Sequence, residues 1–445
     1  MRIYNTLTRQ VDPFKSIHPG TVNIYVCGPT VYHYIHIGNA RPVIFFDVVR
    51  RTFEYLGYTV NFVSNLTDID DKIITRAKEL EVSEQELAQT FIRAFLNDVE
   101  KLGSSTKYDS PKVTDHIEDI IRYIDKCIQS GHAYDIDGDV YFDVSTLESY
   151  GALSKRNLLE QTQGEKNLSN DKKKNPLDFT LWKKTNEGLN FKSPWSDGRP
   201  GWHTECVALI DEKFGEKIDI HGGGSDLIFP HHENEMAQAL AVSNHQLANV
   251  WMHNGHLQID DEKMSKSLGN MVLVKDLEVD PMGFRLFTLG TYYRAPLMYS
   301  EDALNTYVNE WDRLKRTYSQ AFYALDLLEL LDETPKPYPD IEILHDQFID
   351  AMSDDFNTPN ALTAMYSLVK ILNQKLREDD TQNIILAAFK NLDTMFSILG
   401  LKVTLKRLTK DDRGMYHAWQ DARRNKDYET ADRLREKLNQ RGILA

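Results

Sequence analysis

Four short stretches carry residue types whose spacing could do chemistry. In residues 22–39 an apolar run, Val22-Asn23-Ile24-Tyr25-Val26, ends in Cys27, turns through Gly28-Pro29 and reaches His36-Ile37-Gly38-Asn39. A cysteine at a strand end can be a thiolate ligand, and a helix start offers unpaired N–H groups to a phosphate. A buried cysteine beside an ordinary Gly-Pro turn would leave the same pattern. The second stretch, Phe229-Pro230-His231-His232-Glu233-Asn234-Glu235, reads as a helix start. Residues four apart share a helix face, so His231 and Glu235 can point at one ion and His232 cannot join them; a surface hydrogen bond is the plainer alternative. The third, Asp260 to Asn270, is a polar loop carrying Lys263, Ser265, Lys266 and Ser267. It could wrap a polyphosphate, with lysines as mobile countercharges, or be a solvated charged loop. The fourth, Thr67-Asp68-Ile69-Asp70-Asp71-Lys72, sets three carboxylates and a hydroxyl where they could bind substrate or cap a helix.

The elements that must position these residues follow from periodicity. Phe46, Val49, Phe53 and Leu56 recur at helical spacing behind Asn39, with Pro42 placed in a first turn and Gly57 as the stop. Thr59 to Ser64 alternates like a strand, completing a strand, helix, strand unit. Residues 73–130 read as helical apart from a loop at Gly103 to Pro111, and Gly138 to Val144 as an edge strand of a small insertion. Gln161 to Lys174 is polar and reads as an exposed, mobile loop, and Ser193 to His203 as the return to the main sheet. Cys206 then falls on a helix, Ile218 to His221 on a strand, Gly222-Gly223-Gly224-Ser225-Asp226 on a close-approach turn, and Pro230 at the next helix start. Trp251 to Ile259 reads as one more strand. Beyond residue 300 the pattern is helical, broken at residues 334–339 and 354–359.

The whole chain bounds what such a site could serve. Its 445 residues suggest two to four domains, and 41% hydrophobic content with no apolar run of spanning length points to a soluble protein without a membrane partner. The N-terminus lacks a secretory pattern, so a cytoplasmic location is expected. Three scattered cysteines, Cys27, Cys127 and Cys206, make no disulfide framework. A formal charge of -15 argues against a general nucleic-acid coat, yet residues 402–445 hold 12 Lys or Arg against 7 Asp or Glu. That bias suits a solvated helix pair or a local polyanion contact.

His36-Ile37-Gly38-Asn39 and Lys263-Met264-Ser265-Lys266-Ser267 together resemble the two signatures of class I aminoacyl-tRNA synthetases. The strings Tyr25-Val26-Cys27-Gly28-Pro29-Thr30-Val31-Tyr32, Thr67 to Lys72, Gly201-Trp202-His203, Phe229 to Glu235 and Trp251-Met252-His253-Asn254-Gly255 narrow that resemblance to the cysteinyl-tRNA synthetase family. The match runs in order through nearly all of the chain.

The resemblance implies an α/β fold: a Rossmann-type parallel-sheet catalytic domain with a connective insertion, then an all-α helical bundle and a small C-terminal domain. The expected segments are 1–110 and 201–275 for the catalytic halves, 111–200 for the insertion, 276–315 for stem contact, 316–402 for the bundle and 403–445 for a shortened anticodon-binding domain. It implies one zinc per chain on Cys27, Cys206, His231 and Glu235, with Cys127 left in the core. It further implies ATP with magnesium, L-cysteine, and the tRNA for cysteine, acting on a monomer. His36, Asn39, Lys263 and Lys266 would be catalytic, with Thr30, Gly38, Met264, Ser265 and Ser267 completing the ATP site. Thr67, Trp202 and Asp226 would touch substrate. Zinc would prefer thiolate over the hydroxyl of serine, so no editing domain is needed. Thr204, Val207 and Leu209 depart from the family's usual string around Cys206, which alters packing behind the site and no ligand. Two other readings share these residues: a paralogue that ligates cysteine to a small amine, and a non-catalytic RNA-binding protein on the same scaffold.

Overall fold

The computed structural model describes residues 1–156, 172–215, 217–259, 271–378, 381–441 and 443, with the backbone alone at 262–263. The chain divides into two compact units, Met1–Leu277 with Tyr293–Met298, and Glu278–Tyr292 with Tyr299–Ala445.

Strand β1 (Arg2–Asn5) pairs antiparallel with β2 (Gln10–Pro13) in a two-stranded sheet of the first unit. The centre of that unit is a parallel sheet in the order β10 (Ala248–Asn254), β9 (Ile218–Gly224), β3 (Thr21–Val26), β4 (Thr59–Val63). Val22, Ile24 and Tyr25 are fully buried, as a strand covered on both faces requires. Helix α1 (Ile37–Tyr55) buries Ile44, Phe45, Phe46, Val48, Val49 and Phe53, and Gly57 follows it at φ +89. Because α1 starts at Ile37, Pro42 falls in its second turn and not its first, and withholds one N–H from the carbonyl four residues back.

Two further expectations are corrected. The turn expected over Gly222 to Asp226 begins only at Ser225: Gly222 and Gly223 continue β9 to Gly224, in register with Met252 and His253. Their lack of a side chain answers crowding, since a Cβ on Gly222 would stand 2.4 Å from two ring carbons of Phe46. The strand read over Gly138 to Val144 is not an edge either. As β6 (Asp139–Phe142) it lies inside an antiparallel sheet, between β5 (Ala133–Ile136) and β7 (Phe179–Lys184), with β8 (Gly198–Pro200) beyond β7. The loop expected over Gln161 to Lys174 lies for the most part outside the described residues. Cys127, on a helix over Ile117–Gln129, is buried in the apolar core as expected.

The second unit is helical. Helices Glu301–Leu327, Pro339–Ser353, Thr358–Lys375 and Gln382–Leu399 bury Trp311, Phe348, Met365, Leu392 and Met395. Helices Lys410–Arg424 and Tyr428–Gln440 follow, closed on Tyr323 by Leu408, Tyr416 and Leu438. Among the described residues no helix is long and apolar enough to cross a membrane.

Candidate functional site

The loop after β3 is shaped by close backbone approach. A Cβ on Gly28 would stand 1.6 Å from the carbonyl oxygen of Asn65, so only glycine fits, and its N–H donates to Asn65 Oδ1 at 2.9 Å. The loop then runs beside the segment after β4, where Val31 N donates to the Thr67 carbonyl at 3.1 Å. It ends in a reciprocal cap: Asn39 N donates to His36 Nδ1, and His36 N donates to Asn39 Oδ1, each at 3.3 Å. The motif thereby builds its own helix start. A cavity of about 550 Å³ opens beside it, lined among others by Cys27, Thr30, His36, Asn39, Trp202 and Asp226.

At the Cys27 end of that cavity four donors converge. Cys27 Sγ lies 3.5 Å from Cys206 Sγ and 3.5 Å from Glu235 Oε1, Cys206 Sγ lies 3.7 Å from His231 Nε2, and His231 Nε2 meets Glu235 Oε1 at 2.7 Å. Cys206 comes from helix α5 (Trp202–Phe214) and Glu235 from α6 (Glu233–Ser243), α2 to α4 being Asp71–Leu80, Glu84–Lys101 and the helix that carries Cys127. The edges of a zinc tetrahedron with sulfur and imidazole ligands are about 3.3–3.8 Å. The Cys27–Cys206, Cys27–Glu235 and Cys206–His231 edges fall in that range, and the shorter His231–Glu235 edge has the length of an ion pair. Two thiols, an imidazole and a carboxylate, all buried or nearly so, make a donor set suited to zinc.

The electrostatics tie the donors together. Burial opposes charge on both His231 and Glu235, yet their mutual attraction wins: His231 rises to about 10 and Glu235 falls well below the carboxylate range. Burial pushes the Cys27 thiol up, while Cys206, which accepts its hydrogen bond, is drawn down to about 6. Burial holds His203 and His253 near 3, so both are neutral.

Comparison with known proteins identifies the scaffold. Residues 13–309 match the model of the class I (C) tRNA synthetase catalytic domain, and residues 347–404 match the DALR domain. The cysteine–tRNA ligase of Staphylococcus carnosus is 44% identical over 99% of this chain and 97% of its own length. That of Bacillus cereus is 43% identical over 100% and 97%. The chain belongs to the cysteine–tRNA ligase family of class I aminoacyl-tRNA synthetases. Among solved structures, methionyl-tRNA synthetase of Mycobacterium tuberculosis shares the fold at a TM-score of 0.61 and 16% identity, covering 85% of this chain and 89% of that one. A leucyl-tRNA synthetase of Agrobacterium radiobacter aligns at 0.63 and 10% identity, covering 87% and 84%.

Within this synthetase scaffold the other expected residues are placed as follows. Gly38 lines the cavity with His36 and Asn39, and a Cβ there would crowd His36 Nδ1 at 2.9 Å. Trp202 lines it too, 41% exposed, its ring stacked on His231 at 4.3 Å. Thr67 is buried instead, its hydroxyl 3.1 Å from Glu205 Oε2 and from Asn65 Nδ2, and it is not among the cavity-lining residues. The aspartates of the fourth stretch have structural partners: Asp68 accepts from Thr114, Asp70 caps α2 through Lys72 N, and Asp71 pairs with Arg199 and Lys183. Met264, Ser265, Lys266 and Ser267 lie outside the described residues, and of Lys263 only the backbone, in a short strand, is described.

Two histidines escaped the sequence reading. His232 does reach the cluster, with Nε2 at 3.3 Å from Cys27 Sγ, because regular helix starts at Glu233 and not at Pro230. Phe229 is extended, at φ -139 and ψ 132, so helical spacing does not govern the residues around it. His221, fully buried in β9, meets Glu235 Oε2 through Nε2 at 2.5 Å. A histidine in a buried strand, just before three glycines, is the available signal.

Proposed function

We propose that the chain activates L-cysteine with ATP and transfers it to the 3′ end of its cognate tRNA, choosing cysteine through a zinc ion on Cys27, Cys206, His231 and Glu235. A cysteine carboxylate oxygen attacks the α-phosphorus, the bond to pyrophosphate breaks, and cysteinyl-adenylate forms. A ribose hydroxyl of the tRNA then attacks the acyl carbon and AMP leaves. Such transfers ask for positioning and charge stabilisation more than covalent help.

His36 and Asn39 hold the nucleotide phosphates at the start of α1, with Thr30 and Gly38 shaping the floor of the loop. Lys263 and Lys266, in the segment with Met264, Ser265 and Ser267, meet charge developing on the leaving pyrophosphate. Magnesium accompanies the nucleotide. The zinc ion, when bound, takes a sulfur as thiolate and discriminates against a neutral hydroxyl. An apolar pocket alone separates such small differences by only about 1–3 kcal/mol. Trp202 covers the cluster from the cavity side, Asp226 contacts the amino acid or the ribose, and Thr67 acts from behind the wall through Glu205. The chain works as a cytoplasmic monomer.

The observation that supports this most is the convergence of two thiols, an imidazole and a carboxylate at one end of a cavity whose other end is the capped start of α1. Zinc content and cysteine-dependent pyrophosphate exchange on one sample, followed by charging of purified tRNA, test it. One zinc per chain with exchange and charging is expected. Exchange without charging would turn the reading toward a small-amine acceptor, and the absence of both exchange and charging would refute it.

A further inference from the structure

The cluster is reached from behind by a file of side chains that begins at the N-terminus. Asn5 ties β1 to β10, its Nδ2 donating to the Asn249 carbonyl at 2.9 Å and its Oδ1 accepting from Trp251 N at 3.1 Å; Thr6 N donates to the Trp251 carbonyl at 2.9 Å. Thr6 is thereby buried against His253 of β10, Oγ1 to Nδ1 at 2.8 Å. His253 Nε2 lies 2.8 Å from His232 Nδ1, and His232 Nε2 lies 3.3 Å from Cys27 Sγ. Gly223, opposite His253 in register, makes the room: a Cβ there would stand 3.0 Å from His232 Cε1.

A neutral imidazole has one N–H and one lone pair, so the direction of one bond in such a file fixes the next. Among the described residues His253 Nδ1 is the one partner of the Thr6 hydroxyl. If the hydroxyl accepted from that nitrogen, its own buried proton would have no acceptor, an arrangement folded proteins avoid. The hydroxyl therefore donates to His253 Nδ1. His253 then carries its proton on Nε2 and donates to His232 Nδ1, and His232 carries its proton on Nε2, facing the sulfur.

We infer that Thr6 and His253 are positioning residues that fix His232 as an N–H donor to the Cys27 sulfur, keeping His232 out of the metal's ligand set. This decides between two donor sets the fold brings within reach of one ion, Cys27, Cys206, His231 and Glu235, or Cys27, His221, His232 and Glu235. The second set has both imidazoles committed: His232 Nε2–H to sulfur, and His221 Nε2–H to Glu235 Oε2. His231 Nε2 meets Glu235 Oε1 too, at 2.7 Å, but it also faces Cys206 Sγ at 3.7 Å, so a metal ion taking the place of its proton would stand among the donors of the first set. The N–H···S bond also draws charge from the Cys27 thiolate, as hydrogen bonds behind metal ligands do.

The inference rests on the metal reading above, and zinc content of the unaltered chain tests that reading separately. The experiment measures zinc affinity and the thiolate-to-cobalt charge-transfer spectrum of the full chain, with thermal unfolding as a control on folding. Thr6→Val keeps the shape and removes the hydroxyl. It should weaken zinc binding by about 10-fold or more, the usual effect of losing an outer-shell partner, and change the cobalt spectrum, and Thr6→Ser should restore both. His232→Gln, whose amide can accept from His253 and donate to sulfur, should hold zinc nearly as well as the unaltered chain, while His231→Gln loses it. Zinc-binding unaltered protein with a Thr6→Val variant identical in affinity and spectrum would overturn the inference. So would a His232→Gln variant that loses zinc as completely as His231→Gln, and this pair decides the matter if Thr6→Val does not fold.

Discussion

Gly222→Ala probes the crowding that joins the central sheet to the cavity wall. Gly222 pairs with Val26 on one side and Met252 on the other, and its carbonyl accepts from Cys27 N at 3.2 Å, so the strand cannot shift without disturbing the loop that starts at Cys27. The added Cβ would stand 2.4 Å from Cε1 and Cζ of Phe46. Carbon atoms pack at about 3.5–4.0 Å, so the ring must retreat by more than about 1 Å. Phe46 is buried on α1 and lines the cavity, which is the soft side toward which it can move. Overpacking of this size costs about 1–3 kcal/mol. Urea unfolding of the unaltered chain, Gly222→Ala, Phe46→Leu and the double variant completes the cycle. Leucine lacks the two clashing ring atoms, so alanine at 222 should cost far less in the Phe46→Leu background. Additivity within about 0.5 kcal/mol would refute the reasoning, because residues in contact couple by more than that.

Cys206→Ser should abolish stoichiometric zinc and let serine compete better in pyrophosphate exchange; unchanged zinc content by elemental analysis would contradict the ligand assignment. Asp70→Ala removes the side chain that accepts from Lys72 N at 2.7 Å and should lower stability by about 1 kcal/mol, with Asp70→Asn close to neutral, as read by the urea midpoint. Cys127 gives a pH signature. Burial pushes its thiol from 9.0 to about 12, so between those values the folded chain keeps a proton that the unfolded chain has released. Stability from this group is full below about 9 and is lost as pH rises toward 12, at up to about 1.4 kcal/mol per pH unit. Cys127→Ala should flatten the fall in stability measured from pH 8 to 10, and an equally steep fall in the variant would rule the thiol out as its source.

Where side-chain pattern alone decides a local structure, the sequence was legible. The apolar run before Cys27 became a doubly covered strand, Gly57 closed α1, and His231 met Glu235, four residues on, at 2.7 Å. It failed where the partner decides. Gly222 and Gly223 look like a turn in isolation, and only Phe46 and His232, folded against them from distant segments, explain why a strand needs glycine there. His232 does not fit α-helical spacing because the turn over Ile228–His232 is π-helical and the α-helix begins only at Glu233. His221 showed only as a strand residue, because the carboxylate it meets belongs to another element. The aspartates after Thr67 were open between substrate and structure, and their partners, Thr114, Lys72 N and Arg199, favour structure.

The two donor sets sharpen what a spacing argument can deliver. Geometry alone admits either imidazole, since ligand atoms of both sets lie within 4.8 Å of one another. What separates them is hydrogen-bond direction, which no distance reports and which here is set by a hydroxyl on the far side of β10. The residue that decides the direction, Thr6, lies more than two hundred positions from His232 and contributes no atom to the cluster. Its role follows from one constraint: a buried hydroxyl must place its proton. If the proposed zinc site selects sulfur, that selectivity would depend on β1 being stitched to β10 by Asn5, whose side chain bonds the Asn249 carbonyl and Trp251 N.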